Sequence, residues 1–207
     1  MIIGITGGTG CGKTTLLKVI AQAGGLILDC DAIYHQLLTR DAALLRAIDN
    51  RFPGTVENGA LQRKKLGAIV FSDEKALQDL NAITHGAIRS EILHCLESCP
   101  KLAAIDAIGL FEGGLAELCD ITVAVTAPEE VRVQRLMRRD SISEAYARSR
   151  IGAQHPAEWF RSRCSYVLEN SGTEVQFQEN CLAFLRQLGI IESIAEEHMC
   201  LCDTQAT

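Results

Sequence analysis

Residues 7–14 read Gly7-Gly8-Thr9-Gly10-Cys11-Gly12-Lys13-Thr14, and no other stretch restricts the possible folds so sharply. A segment this rich in glycine neither extends a strand nor packs as a helix. It is backbone suited to turning tightly and to letting other groups come close. Before it, Ile2-Ile3-Gly4-Ile5 is an unbroken apolar run of β-branched residues, which suits a strand buried on both faces and hence a parallel sheet. After it, Leu16, Leu17, Ile20 and Ala21 recur at helical spacing within Gly12 to Ala23, and Gly24-Gly25 ends the helix. Gly-x4-Gly-Lys-Thr between a strand and a helix is the Walker A pattern in the setting that gives it meaning.

The rest of the chain continues the alternation. Leu26-Ile27-Leu28 reads as a second strand, Leu102 to Ile105 as a third ending in Asp106, Ile121 to Val125 as a fourth, and Tyr166-Val167-Leu168 as the last. Ala32 to Phe71 reads as helices and turns, punctuated by Pro53-Gly54 and Asn58-Gly59. Ser72 is the expected cap of a long helix to about Glu97, with Leu77, Leu80, Ala87, Ile88 and Ile92 on its inner stripe. Pro128 before Glu129-Glu130 suits a helix start, Val131 to Arg163 is Arg-rich and helical, and Thr173 with Gln176 forms a capping box before a final helix. No repeat is present. These elements predict an α/β protein of the three-layer P-loop type, with a doubly wound parallel sheet whose ligands sit beyond the carboxyl ends of its strands.

The loop chemistry points to ATP with Mg²⁺. Glycines free consecutive N–H groups to face phosphate oxygens, and the helix N-terminus adds positive partial charge. Lys13 is placed to reach the β- and γ-phosphates, and the Thr14 hydroxyl to ligate Mg²⁺. The loop alone leaves GTP open, but no Asn/Thr-Lys-x-Asp motif for reading guanine is present. Asp29-Cys30-Asp31 closes the second strand, and strand alternation points both carboxylates the same way, as a base for a hydroxyl nucleophile or a hold on the metal. Asp106 is a candidate Walker B carboxylate for Mg²⁺. Among the arginines Arg132, Arg135, Arg138, Arg139, Arg148 and Arg150, Arg139 is expected to close over the phosphates, the others being mostly surface. Cys11, beside a helix N-terminus, is expected to form a stabilised thiolate that makes the loop oxidant-sensitive.

Composition excludes other classes. The chain has 207 residues, enough for one α/β domain with a small helical insertion. A formal net charge of −6 argues against duplex nucleic acid as a partner. No apolar run approaches a membrane span and no signal peptide precedes the first strand, so a cytoplasmic location is expected. The nine cysteines lack a CxxC pair and indicate neither a disulfide framework nor a zinc ribbon. His198, Cys200 and Cys202 in the polar tail are three soft ligands, one short of a usual structural zinc site.

Taken in order, TGGTGCGKTT (6–15), DCDA (29–32), Leu80-Asn81 with Thr84-His85, Leu110-Phe111-Glu112, RLMRRD ending at Asp140, Arg150-Ile151 with Gln154, and Tyr166 to Gly172 resemble the dephospho-CoA kinase family over residues 1–188. The resemblance implies transfer of the ATP γ-phosphate to the ribose 3′-hydroxyl of dephospho-CoA. It implies Asp31 as base, Gly8, Thr9, Gly10, Cys11, Gly12, Lys13, Thr14 and Thr15 as the ATP site, Arg139 as the lid arginine, and Asn170 near the adenine. Arg63, Asn81 and His85 would face the acceptor. A core of residues 1–31, 100–130 and 164–191 would carry a helical CoA-binding insertion over 32–99 and a helical lid over 131–163, with a tail at 192–207. The chain departs from the family at Gly86 and Ile108-Gly109, where proline is usual, at Cys164-Ser165 in place of Ala-Asp, and at Cys11 in place of serine. The expected assembly is a monomer or weak homo-oligomer. Another small-molecule kinase, acting on nucleosides, nucleotides or shikimate, and a non-catalytic nucleotide binder remain the alternatives.

Overall fold

The structure, a computed structural model, describes residues 1–97 and 101–192. Five parallel strands form the central sheet: β1 (Ile2–Thr6), β2 (Leu26–Asp29), β5 (Ala103–Asp106), β6 (Ile121–Thr126) and β7 (Tyr166–Glu169), in the order β2-β5-β1-β6-β7. β1 lies at the centre with Ile3 and Ile5 wholly buried, as an apolar run covered on both faces requires. α1 (Lys13–Gln22) and α9 (Glu174–Gln187) pack on one face, where Leu16, Ile20, Phe177 and Leu185 share a core with Ile3 and Val123. The capping box of α9 forms as its sequence predicts, with Thr173 and Gln176 bonded reciprocally.

The other face is covered by α2 (Cys30–Arg40), α3 (Ala42–Arg51), α4 (Arg63–Val70) and α5 (Glu74–Glu97). Their core, around Leu37, Ile48, Phe52 and Ile92, is continuous with Leu28 and Ile105 of the sheet. Between α3 and α4, β3 (Val56–Glu57) and β4 (Ala60–Leu61) pair antiparallel across Asn58-Gly59. Both turn residues have positive φ, which makes those two residues a hairpin rather than mere punctuation. A short 3₁₀ turn spans Ala116–Leu118. α6 (Glu129–Asp140), α7 (Glu144–Gly152) and α8 (Ala157–Arg161) follow β6, and α6 and α7 share a small core of Val133, Leu136, Ala147 and Ile151.

Three expectations change. The cap of α5 is Asp73, whose Oδ1 accepts from the Lys75 and Ala76 N–H groups at 2.9 and 3.3 Å, while Ser72 Oγ donates back to Ala68 and Ile69 and closes α4. A carboxylate adds favourable charge at a helix start, and the hydroxyl finds a nearer carbonyl. The inner stripe of α5 holds Leu80, Ala87, Ile88 and Ile92 against the core as expected and adds the buried Ala76 and Thr84, but Leu77 is exposed. Finally, the strand ends at Asp29 and α2 begins at Cys30, so Asp29 and Asp31 do not alternate along one strand. Asp29 is instead the N-cap of α2, accepting from the N–H groups of Asp31 and Ala32.

Candidate active site

The loop between β1 and α1 opens at the carboxyl edge of the sheet into a cavity of about 880 Å³, lined by Gly8 to Gly10, Gly12 to Thr14, Asp31, Asp106, Arg139 and Gln154 among others. The first turn of α1 leaves its N–H groups without intrahelical acceptors, so an anion there meets both donors and the positive end of the helix. Gly12 caps α1 with φ 95°, and a Cβ there would meet Asn170 Nδ2. Only glycine serves both demands.

The loop is held from behind. Asn170 is buried, donating through Nδ2 to the Cys11 carbonyl at 2.9 Å and accepting through Oδ1 from Arg135 at 2.9 Å. Arg135 also reaches the Gly10 carbonyl at 3.4 Å. Arg132, 5% exposed, donates from Nε to the Thr9 carbonyl at 2.9 Å. These two arginines are therefore not surface groups: α6 docks against the loop and its guanidinium groups satisfy carbonyls that the tight turn directs away from the cavity. Arg148 does lie on the surface, bridging Glu129, Glu130 and Glu144. Arg139 lines the cavity and is paired with Asp140 through bonds of 2.7 and 2.9 Å. Arg150 bonds the same carboxylate at 2.6 Å, and the two arginines hold the Asp140 carboxyl down at about 2.

Cys11 overturns the expectation of a reactive thiol. Its side chain is 3% exposed and packs with Ile5 and Leu16, so it faces the core and not the loop's solvent side. Its N–H donates to the Gly8 carbonyl at 3.2 Å. The Thr15 N–H is likewise bonded to Gly12, at 3.1 Å. Cys11, Cys30, Cys119, Cys164 and Cys181 are free thiols, and His198, Cys200 and Cys202 lie outside the described residues.

Lys13 folds along the loop, donating to the Gly7 carbonyl at 3.2 Å, with Nζ 3.8 Å from Asp106 Oδ1. That Asp106 oxygen is buried and has no hydrogen-bond partner. Burial pushes the Asp106 carboxyl up to about 6; Lys13 opposes the shift, and the carboxylates of Asp29 and Asp31 add to it. Register pairs Asp106 with Asp29 on β2 and with Ile5 on β1, which sets the carboxylate beside the glycine loop. An orphaned, costly carboxylate oxygen next to an anion cradle fits a hydrated divalent cation, with the exposed Thr14 on the facing helix turn.

Asp31, in the first turn of α2, borders this cavity and also a smaller one of about 200 Å³ that Tyr34, Thr84 and His85 line. Asp31 and Ile108 thus stand where the two spaces meet. Arg63 Nη2 lies 3.4 Å from His35 Nδ1, and its charge opposes the rise that burial causes in the Tyr34 phenol. Neither Arg63 nor Asn81 lines the smaller cavity; Asn81 sits one turn before His85 on α5. Sequence reasoning missed Arg132 and Arg135 as supports of the loop and the contacts of Gln154. Their signal was the i, i+3 spacing of the two arginines, which sets both on one face of α6.

Known proteins resemble this chain over most of its length. The family model for CoaE, dephospho-CoA kinase, matches residues 1–176. A dephospho-CoA kinase of Syntrophotalea carbinolica is 34% identical, with 91% of this chain and 92% of that protein covered. Among solved structures, TT1252 from Thermus thermophilus superposes with a TM-score of 0.77 at 35% identity, covering 91% and 97%. A dephospho-CoA kinase from Campylobacter jejuni gives 0.66 at 25%, covering 90% and 96%.

Proposed function

The chain belongs to the dephospho-CoA kinase family, and from that premise we propose that it moves the γ-phosphate of ATP to the ribose 3′-hydroxyl of dephospho-CoA. The observation that carries the division of labour is Asp31 at the meeting of the two cavities. The triphosphate occupies the larger space, on the glycine loop and the α1 N-terminus, and the acceptor ribose enters from the smaller one. Asp31 then sits between donor and acceptor and takes the hydroxyl proton as the nucleophile attacks. Lys13 swings from the Gly7 carbonyl to the β- and γ-phosphates, and Arg139 exchanges Asp140 for phosphate oxygens as the lid closes and excludes water.

Asp106 and Thr14 hold Mg²⁺. When bound, the ion would supply positive charge that offsets the negative charge developing during transfer. Cys11 contributes backbone only, Thr15 belongs to the first turn of α1, and Asn170 acts beneath the loop while Gly172 of the same segment borders the cavity. The insertion, residues 32–99, binds the rest of the acceptor, with His85 directly on it and Asn81 and Arg63 at its margin. Among the described residues no helix is long and apolar enough to cross a membrane.

Release of ADP with dephospho-CoA, adenosine, AMP and shikimate offered separately tests the acceptor, and stimulation by dephospho-CoA alone is the expected result. Asp31→Asn should lower kcat by about 10² or more with ATP affinity nearly unchanged. Full turnover in that variant removes Asp31 as the base, and stimulation by another alcohol alone removes the acceptor assignment.

A further inference from the structure

Gln154 follows α7, its N–H bonded to the Ile151 carbonyl at 3.2 Å, and its side chain reaches across to the glycine loop. Oε1 accepts from the Thr9 N–H at 2.8 Å and from Arg132 Nη2 at 3.3 Å. Arg132 in turn holds the Thr9 carbonyl through Nε. Both polar groups of Thr9's backbone are therefore gripped by side chains from the helices after β6. Gly8 makes room for this: a Cβ there would meet the Arg132 guanidinium and lie 3.1 Å from Gln154 Oε1.

The charge pattern is unusual. Arg132 is 5% exposed, yet among the described residues no carboxylate lies within ion-pair distance of it. A buried guanidinium held only by neutral oxygens is expensive, and it stands directly behind an anion cradle. A triphosphate supplies the missing negative charge, so the grip on Thr9 matters most when ATP binds.

We infer that Gln154 is a positioning residue for ATP, acting on the nucleotide through the Thr9 peptide and Arg132 and linking the α6–α8 segment to the shape of the loop. This rests on the glycine loop being the ATP site. It predicts a selective effect: with the Gln154 acceptor removed, the Thr9 N–H and Arg132 lose their shared partner, and donor binding weakens while acceptor binding does not.

The test uses Gln154→Met, which keeps length and packing but no carbonyl, and Gln154→Asn, which keeps the amide but falls short of Thr9. Steady-state kinetics should give an ATP KM about 10-fold above wild type, with kcat and the dephospho-CoA KM within about twofold. Isothermal titration calorimetry with ADP reads nucleotide binding independently of turnover. The ADP titration midpoint should shift by a similar factor. An unchanged ATP KM in both variants, or equal rises in both substrates' KM, overturns the inference, as does an unmoved ADP midpoint. Wild-type enzyme that ignores dephospho-CoA would instead count against the proposed reaction, while the ADP titration still judges Gln154.

Discussion

The glycine loop and the helices over residues 30–97 sit on the same sheet but are held by different forces. Around the loop, the shape depends on directional bonds between residues far apart in the chain: Asn170 to Cys11, Arg132 to Thr9, Arg135 to Gly10 and Gln154 to Thr9. Across the acceptor side, packing of Leu37, Ile48, Phe52 and Ile92 carries the structure, and the charged groups form exposed pairs such as Arg51 with Asp79. Exposed pairs contribute little, whereas buried polar groups are costly when a partner is lost. The nucleotide side should therefore break at single atoms, and the acceptor side should yield gradually.

The largest contrast is expected at Gly12. Gly12→Ala forces a left-handed backbone on a β-carbon and displaces Asn170, so kcat/KM for ATP should fall about 10³-fold. Retained ATP turnover would show that the brace is not needed. Asp106→Asn should lower kcat by about 10² and at the same time stabilise the unliganded protein. The sign follows from its raised carboxyl value: protonated Asp106 favours the fold, and that contribution is lost as pH rises from 3.8 through about 6. In magnesium-free buffer the variant should gain about 1–3 kcal/mol at pH 7.5, with the gain shrinking toward pH 5. Thermal denaturation at the two pH values measures it; no difference between them would reject the buried-carboxylate cost.

Asn170→Ala removes the short bonds to the Cys11 carbonyl and from Arg135, leaving only the 3.4 and 3.5 Å contacts of Arg135 with the Gly10 and Cys11 carbonyls, and should cost about 2 kcal/mol by urea unfolding, together with a higher ATP KM. The smallest effect belongs to the acceptor side. His85→Ala should raise the dephospho-CoA KM by about 5- to 10-fold and leave the ATP KM unchanged. A change in ATP KM of the same size would mean that the two halves are coupled more tightly than their cavities indicate.

Much of the site was legible because its signals are local. Gly7 to Thr14 announces an anion cradle by composition and spacing alone, and Asp106 is marked by closing an apolar strand. Asp31 was identified for a partly mistaken reason. Alternation along a strand was expected to align it with Asp29, yet a helix turn brings it to the cavity and Asp29 caps that helix. Cys11 misled because nearness to a helix N-terminus says nothing of which way the side chain points, and it points into the core. Arg132 and Arg135 looked like solvated charges because a run of arginines has the same sequence pattern whether it meets water or a glycine loop.

The sequence by itself determined the alternation of strands and helices, the anion-binding loop and the family to which the chain belongs, since periodicity, glycine spacing and motif order are properties of neighbours along the chain. Only the tertiary structure decided which arginines hold the loop, where Asp31 meets both cavities, and how Gln154 reaches Thr9 across 145 positions. Those choices depend on burial and on the direction of hydrogen bonds between distant segments, and neither is set until the sheet and the helices around it have packed.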